Sequence, residues 1–264
     1  MEMDKKLTSL NGVFAVFKPA GESSAKTIDR VKTALLRCAL NKGNSENGVK
    51  APPNHLFKRL SRQIKVGHGG TLDPMATGVL VVGLNAGCKD LSKYLAGPKT
   101  YLAQARFGEH YDTLDCTGRL LQRDESWRGK VEKLSDEIVR EKFVGETVMQ
   151  VPPAFSAIHV NGKRAYDLAR KESESVETTL NDSTPLTDIV VDDSGKIEAL
   201  REASFTIPAR PVAINSLLYT FTPSTLPAFT LSVECGGGCY IRSLIRDLAA
   251  EVGTLAVMTE LSRV

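Results

Sequence analysis

Nothing in this 264-residue sequence is long and apolar enough to cross a bilayer as a helix, which takes about 20 residues. The opening residues, Met-Glu-Met-Asp-Lys-Lys, carry acids early and lead into no apolar core, so no secretory signal is expected. Cysteine is scarce and odd in number, at five, which argues against a disulfide framework. Cys235 and Cys239 bracket three glycines, yet no second pair or histidine tract supports zinc. Four histidines, at 55, 68, 110 and 159, are too scattered to suggest a metal site. No Gly-Lys-Ser/Thr and no G-x-G-x-x-G spacing is present, which leaves out the common phosphate loops. Internal repeats are absent as well. These absences lead us to expect a soluble protein of a reducing, intracellular compartment: cytoplasm or nucleus, with the mitochondrion also open.

What is present can bury a substantial core, since 42% of the residues are hydrophobic. The net charge is only +3, but it is uneven. Residues 41–66 hold Lys42, Lys50, Lys58, Arg59, Arg62 and Lys65 against one acid, Glu46. That block could face phosphates or form a solvated loop. Residues 172–197 hold seven acids against Lys196 alone, which like-charge repulsion would keep away from nucleic acid.

Pattern and punctuation give the elements. Residues 12–18 read as a short buried strand stopped by Pro19. Ser23 or Ser24 then offers an N-cap to a helix carrying Ile28, Val31, Leu35 and Cys38. Residues 41–66, polar with a Pro52-Pro53 pair, read as a loop insertion, and 85–97 as a short helix stopped by Gly97-Pro98. Strands are expected at 99–108, within 207–221 and at 229–235. Helices are expected from Ser135, from Ala165 and over 241–252. Residues 172–197 read as an acidic, mobile insertion with no domain boundary.

The most informative stretch is Gly67-His68-Gly69-Gly70-Thr71-Leu72-Asp73-Pro74-Met75-Ala76-Thr77-Gly78-Val79-Leu80. Its single carboxylate, Asp73, precedes a proline that biases it toward extended geometry, so it should sit on a stiff loop. Glycines 69 and 70 leave room for a backbone or planar ligand. In isolation an Asp-Pro pair near glycines is a common turn. A carboxylate held beside a roomy approach also meets the needs of a nucleophile or general base.

The whole run resembles the signature of the TruB family of tRNA pseudouridine synthases. Further segments resemble the family in the same order: Lys18-Pro19, Lys99-Thr100-Tyr101, Asp112-Thr113-Leu114-Asp115-Cys116-Thr117-Gly118, Pro152-Pro153 through Ser156-Ala157, and Gly236-Gly237-Gly238-Cys239-Tyr240-Ile241-Arg242. The likeness spans residues 12–264, interrupted by the two insertions, and looks like the eukaryotic branch. It implies a pseudouridine-synthase fold of the α+β class, a mixed and largely antiparallel sheet flanked by helices and loops, as one catalytic domain over 1–264. It implies the isomerisation of the T-loop uridine of tRNA, position 55, with the base flipped out of its stack. No cofactor is implied, and a monomer acting on the tRNA T-arm, away from membranes, is expected.

By the resemblance, Asp73 is the catalytic carboxylate, attacking ribose or base or abstracting a sugar proton. Tyr101 stacks on the uracil and can accept the C5 proton. His68 helps displace and hold the flipped nucleotide, while Tyr240 and Leu261 pack round the base. Arg242 pairs with Asp73, Lys18 lies near the cleft, and Asp112 completes the substrate-binding set. Left to themselves, Lys18 could mark a strand end, Tyr101 could be a packing residue, and Arg242 could be a first-turn cation poorly matched to the helix dipole.

Three departures stand out. The family often has Lys-Gly-Thr before Tyr-Ile-Arg, where this chain has Gly237-Gly238-Cys239. A double arginine often follows the leucine, where Ser262-Arg263 gives one. The sequence stops at Val264, so the small C-terminal RNA-binding (PUA) domain of many relatives is not expected. Two other classes stay open, a non-catalytic tRNA-folding module and a guide-RNA-dependent synthase subunit. Asp73, Tyr101 and Arg242 speak against the first, and the missing C-terminal domain speaks against the second.

Overall fold

A glycine, four apolar residues with one alanine between, and a lysine make the first strand, β1 (Gly12–Lys18), and Pro19 ends it. The computed structural model describes residues 7, 9–41, 54–176, 187–191, 197–202, 205–222 and 224–264. They fall into two compact units, Met1–Pro98 with Ser262–Val264, and Lys99–Leu261.

In the first unit β1 is followed by α1 (Ser24–Asn41), α2 (Asn54–Gln63), β2 (Val66–His68), β3 (Thr77–Leu84), a 3-10 turn (Asn85–Asp90) and α3 (Leu91–Ala96). The Ser23 hydroxyl accepts the Lys26 N–H at 3.2 Å and so caps α1, as the sequence leads one to expect. Strand β3 is the hub: it pairs antiparallel with β1 and β2, and Ser262 and Arg263 pair with Thr77 and Gly78 in parallel. The register sets Lys18 opposite Gly78 and His68 opposite Val82, so the ends of three strands meet the signature loop. Gly78 has φ +114, and a Cβ there would run into the Arg263 backbone, so only glycine lets the C-terminal strand close on β3.

The second unit begins with β4 (Lys99–Phe107), β5 (Glu109–Tyr111), β6 (Leu120–Arg123), α4 (Trp127–Val131), α5 (Asp136–Phe143) and β7 (Gly145–Gln150). It continues through β8 (His159–Val160), β9 (Lys163–Arg164), α6 (Ala165–Val176), β10 (Thr187–Val191), β11 (Ile197–Glu202) and β12 (Thr206–Pro208). Then come β13 (Arg210–Thr220), β14 (Ala228–Cys235), α7 (Ile241–Glu251) and β15 (Ala256–Arg263). Strands β4, β14, β13 and β7 pair antiparallel in that order. Along β4 the residues Tyr101, Ala103, Ala105 and Phe107 are buried and Thr100, Leu102 and Gln104 exposed, the period-2 pattern of a sheet covered on one face. The main sheet has eight strands, is largely antiparallel, and makes the fold α+β. Among the described residues no helix is long and apolar enough to cross a membrane.

Two sequence expectations are corrected. Residues 41–66 are not all loop: 54–63 form α2, while 42–53 lie outside the described residues. The reason is a short apolar stripe, Leu56, Phe57, Leu60 and Ile64, that packs on Leu36, Ala39 and Leu40 of α1. The acidic stretch 172–197 likewise holds more structure than a mobile insertion. Its first residues extend α6, and β10 within it pairs antiparallel with β11; residues 177–186 and 192–196 lie outside the described residues. The helix expected at 85–97 divides into the 3-10 turn and α3. Asn85 takes φ +50 while its side chain accepts the Lys65 N–H and donates to Leu7 and Leu10 carbonyls.

Leu60 is fully buried in the α1–α2 cluster. Leu60→Ala should therefore lower unfolding free energy by about 2–5 kcal/mol in urea denaturation. A change within about 0.5 kcal/mol, the size of a surface substitution, would mean that 54–63 is a solvated loop after all.

Candidate active site

Asp73 sits half-buried in the loop between β2 and β3, and the backbone around it is fastened from several directions. Ser24, at the start of α1, uses its hydroxyl twice: it accepts the Leu72 N–H at 2.9 Å and donates to the Leu72 carbonyl at 3.1 Å. The Asp73 carbonyl accepts the Ala76 N–H at 3.1 Å, closing a tight turn. The Pro74 carbonyl accepts the Gly21 N–H at 2.9 Å and the Lys18 ammonium at 3.1 Å. Upstream, the Gly69 N–H bonds the Val81 carbonyl, and Arg263 donates to the carbonyls of Gly70 at 3.2 Å and Val79 at 2.8 Å. A short loop with this many fixed points holds its carboxylate in one place, as a reacting group requires.

Lys18 is the centre of this arrangement. It is fully buried, and its ammonium donates to Pro19 at 2.8 Å, Glu22 at 2.7 Å and Pro74 at 3.1 Å. Three N–H bonds thus meet three backbone carbonyls, the full donor capacity of a lysine. Burial pulls its pKa below the usual lysine value, and the nearby carboxylates of Glu22 and Asp73 act the other way. Glu22 is itself held by the Thr27 hydroxyl at 2.8 Å and by Arg30, and the Thr27 bond leads in lowering its pKa. The resemblance implies a place near the cleft for Lys18; the geometry shows it bracing the Asp73 loop.

His68 lies on β2, five residues before Asp73. Burial pushes its pKa down, the Arg263 cation adds to that, and a backbone bond with Gly70 opposes it. That lowering favours the neutral ring, whose Nδ1 is buried with no hydrogen-bond partner among the described residues.

In the second unit the polar groups converge on α7. Arg242, nearly fully buried, donates from Nη1 to the Thr113 carbonyl at 2.7 Å and from Nη2 to the Phe155 carbonyl at 3.0 Å. Asp115 lies 3.9 Å from Nη1 through its Oδ2, while its Oδ1 accepts from Thr113, Thr117 N–H and the Thr117 hydroxyl. One guanidinium thus ties two loops, 112–118 and 151–158, to the start of α7. Ser243 and Arg246 add bonds to the Val151 carbonyl at 2.7 and 3.1 Å. Tyr240 is positioned by Gln150, whose amide accepts the Tyr240 N–H at 2.8 Å and donates to its carbonyl at 3.1 Å.

Of the residues expected from sequence, Lys18, His68 and Asp73 belong to the first unit and Tyr101, Asp112, Tyr240, Arg242 and Leu261 to the second. Tyr101 and Leu261 are buried on β4 and β15, and Tyr240 is half-buried. Asp112 shapes its own turn, accepting the Arg119 N–H at 2.8 Å. Asp115, three residues after Asp112 in the same motif, is a carboxylate beside Arg242. Gln150, the loop-bracing bonds of Ser24 and the clamping role of Arg263 were not legible in sequence. A polar residue in an apolar run was the available signal for Gln150.

Lys18→Met keeps the volume and removes all three donors. The variant should lose about 3–5 kcal/mol in urea denaturation, since the Pro19 and Glu22 carbonyls each lose a donor and the Pro74 carbonyl keeps only the Gly21 N–H. Lys18→Arg should not rescue it, because a planar fork cannot serve three carbonyls gathered round one point. A loss below about 1 kcal/mol in Lys18→Met, the size of an exposed contact, would show that the clamp contributes nothing.

Comparison with known proteins follows the same residues. The family model described as TruB family pseudouridylate synthase, N-terminal domain, matches residues 58–184. "Pseudouridylate synthase TRUB1" of Mus musculus is 40% identical over 259 residues, covering 98% of this chain and 63% of that protein. Its Homo sapiens counterpart is also 40% identical over 259 residues, with 98% and 61% covered. "tRNA pseudouridine synthase B" of Synechocystis is 37% identical over 208 residues, covering 78% of this chain and 58% of that one. This chain thus spans about three-fifths of the length of these relatives. Among solved structures, a chain of "Crystal Structure of a Cbf5-Nop10-Gar1 Complex" matches at 19% identity and TM-score 0.52, over 98% of this chain and 50% of that one. That match speaks to the fold alone.

Proposed function

The chain belongs to the TruB family of pseudouridylate synthases, and from that premise we propose that it converts the T-loop uridine of tRNA, position 55, to pseudouridine. The observation that carries the reading is the fastening of the Asp73 loop by Lys18, Ser24, Gly21 and Arg263. Positioning of this kind lowers a barrier by fixing the reacting geometry in advance.

Asp73 is the catalytic carboxylate. The C1′–N1 glycosidic bond breaks, the uracil turns within the site, and a C1′–C5 bond forms; the proton on C5 then leaves and N1 takes up a proton, so the product is an isomer of the substrate. Tyr101 stacks on the uracil and receives the C5 proton. Tyr240, set by Gln150, and Leu261 close round the base, and His68 helps displace and hold the flipped nucleotide. Arg242 acts with Asp73, and Asp112 shapes the loop that Arg242 binds. The scheme calls for no cofactor, because the base is never released and no electrons change hands. One copy of the chain is enough for it. Flipping a base costs about a few kcal/mol, least in a loop whose stack is already open, and recognition rests on the shape of that loop.

The test is a bare tRNA transcript incubated with this protein alone and read by nucleoside analysis. Pseudouridine should appear at position 55 without a guide RNA. Asp73→Asn, nearly isosteric, should abolish the product while tRNA affinity stays within several-fold. Product formed at a normal single-turnover rate by Asp73→Asn would remove that residue from the chemistry. Binding without any product from the wild-type protein would favour an RNA-folding role.

A further inference from the structure

Formal charge is divided unequally along this molecule. Among the described residues of the first unit, twelve lysines and arginines stand against four acids. Over 99–171, 205–222 and 224–261 in the second unit the numbers are sixteen and fifteen. The near-neutral whole thus conceals one strongly basic unit, and α2 concentrates that excess. Its ten residues, NHLFKRLSRQ, include no acid. Leu56, Phe57 and Leu60 face α1, which turns His55, Lys58 and Arg62 outward at spacings of three and four, on one face. Lys65 follows the helix, its backbone pinned to Asn85 and its side chain exposed.

The other helices of eight or more residues mix their signs. Helix α5, DEIVREKF, sets Asp136 and Glu137 against Arg140 and Lys142, the arrangement that the helix dipole and i,i+4 pairing favour. Helix α2 has like charges at i,i+4, Lys58 and Arg62, and nothing on its own length to offset them. Repulsion of that kind is relieved by an anion supplied from outside. The chain then runs from Lys65 straight into β2, the strand that carries His68, so the basic face and the signature lie on one continuous path within one unit.

We propose that the outer face of α2, Lys58 and Arg62 continued by Lys65, is a phosphate-binding surface for the backbone of the RNA substrate. It rests on the functional reading above and extends it, placing contacts on RNA phosphates that no part of the chemistry uses. Phosphate contacts position a nucleic acid and carry no sequence information, so this face sets affinity rather than the choice of uridine. Neutralising phosphates releases condensed counterions, which makes the contribution visible in the salt dependence of binding.

The experiment compares the full chain with Lys58→Gln/Arg62→Gln/Lys65→Gln, using an unmodified tRNA transcript over a range of salt concentrations. A control triple variant, Arg140→Gln/Lys163→Gln/Lys171→Gln, removes the same charge from exposed positions of the second unit. The α2 variant should bind at least about tenfold more weakly at 0.1 M salt, with the slope of log K against log salt shallower by roughly 2. Its melting temperature and its single-turnover rate at saturating RNA should match wild type. The control should keep the wild-type slope. An unchanged slope in the α2 variant overturns the proposal, and so does an equal loss in the control, since total charge would then be responsible. Product formation is scored separately: normal product with an unchanged slope removes only this surface. A shallower slope in a protein that makes no pseudouridine removes the enzymatic reading and leaves the surface standing.

Discussion

The bond set of Lys18 is the constraint on which the first unit depends. A buried ammonium is tolerated only when its donors are matched, and here all three meet backbone carbonyls within 3.1 Å. Two of those carbonyls, Pro19 and Glu22, curl the chain back on itself directly after β1. The third, Pro74, belongs to the signature loop, more than fifty residues away in sequence. One cation therefore fixes both the turn that starts α1 and the loop that presents Asp73. The β1–β3 register supplies the geometry by setting Lys18 opposite Gly78. Ser24 completes the fastening with its paired bonds to Leu72, which explains why a small hydroxyl is buried there.

The second unit solves a similar problem with a different cation. Arg242 must reach two carbonyls on separate loops, Thr113 and Phe155, and a planar fork with donors pointing apart does this where a lysine could not. Asp115 keeps its charge close by, and the threonines around it occupy its second oxygen. In both units a buried cation binds backbone oxygens, so the loops are shaped by main-chain geometry and the side chains on them stay available. That is an economical way to carry reactive groups on short, glycine-rich connections.

Much of this was legible in the residues, and the exceptions have identifiable causes. Strands such as 99–107 and 228–235 alternate cleanly, and the helix after Tyr240 shows a full apolar face, so these elements could be read directly. Helix α2 could not, because its apolar face is only three or four residues wide and sits beside a Pro-Pro pair and a polar run. Strand β10 was hidden by the acids counted across 172–197, although Thr187–Val191 is rich in β-branched residues. Asp112 and Asp115 stand three residues apart in one motif. Only the fold shows which of two neighbouring carboxylates is buried. Sequence likewise points to Asp73 without telling what holds it, since Lys18 and Ser24 come from one distant segment and Arg263 from another.

The central claim is that Lys18 holds the Asp73 loop rigid. The Leu72 amide, bonded to the Ser24 hydroxyl inside the clamp, reports on it directly through native-state hydrogen exchange. In wild type this amide should exchange slowly, and in Lys18→Met it should speed up by at least about a hundredfold, the size of a lost clamp of about 3 kcal/mol. The amide of Val82, inside the β1–β3 ladder, reports global unfolding and should speed up by no more than the stability lost in urea requires. Unchanged exchange at Leu72 would contradict the account.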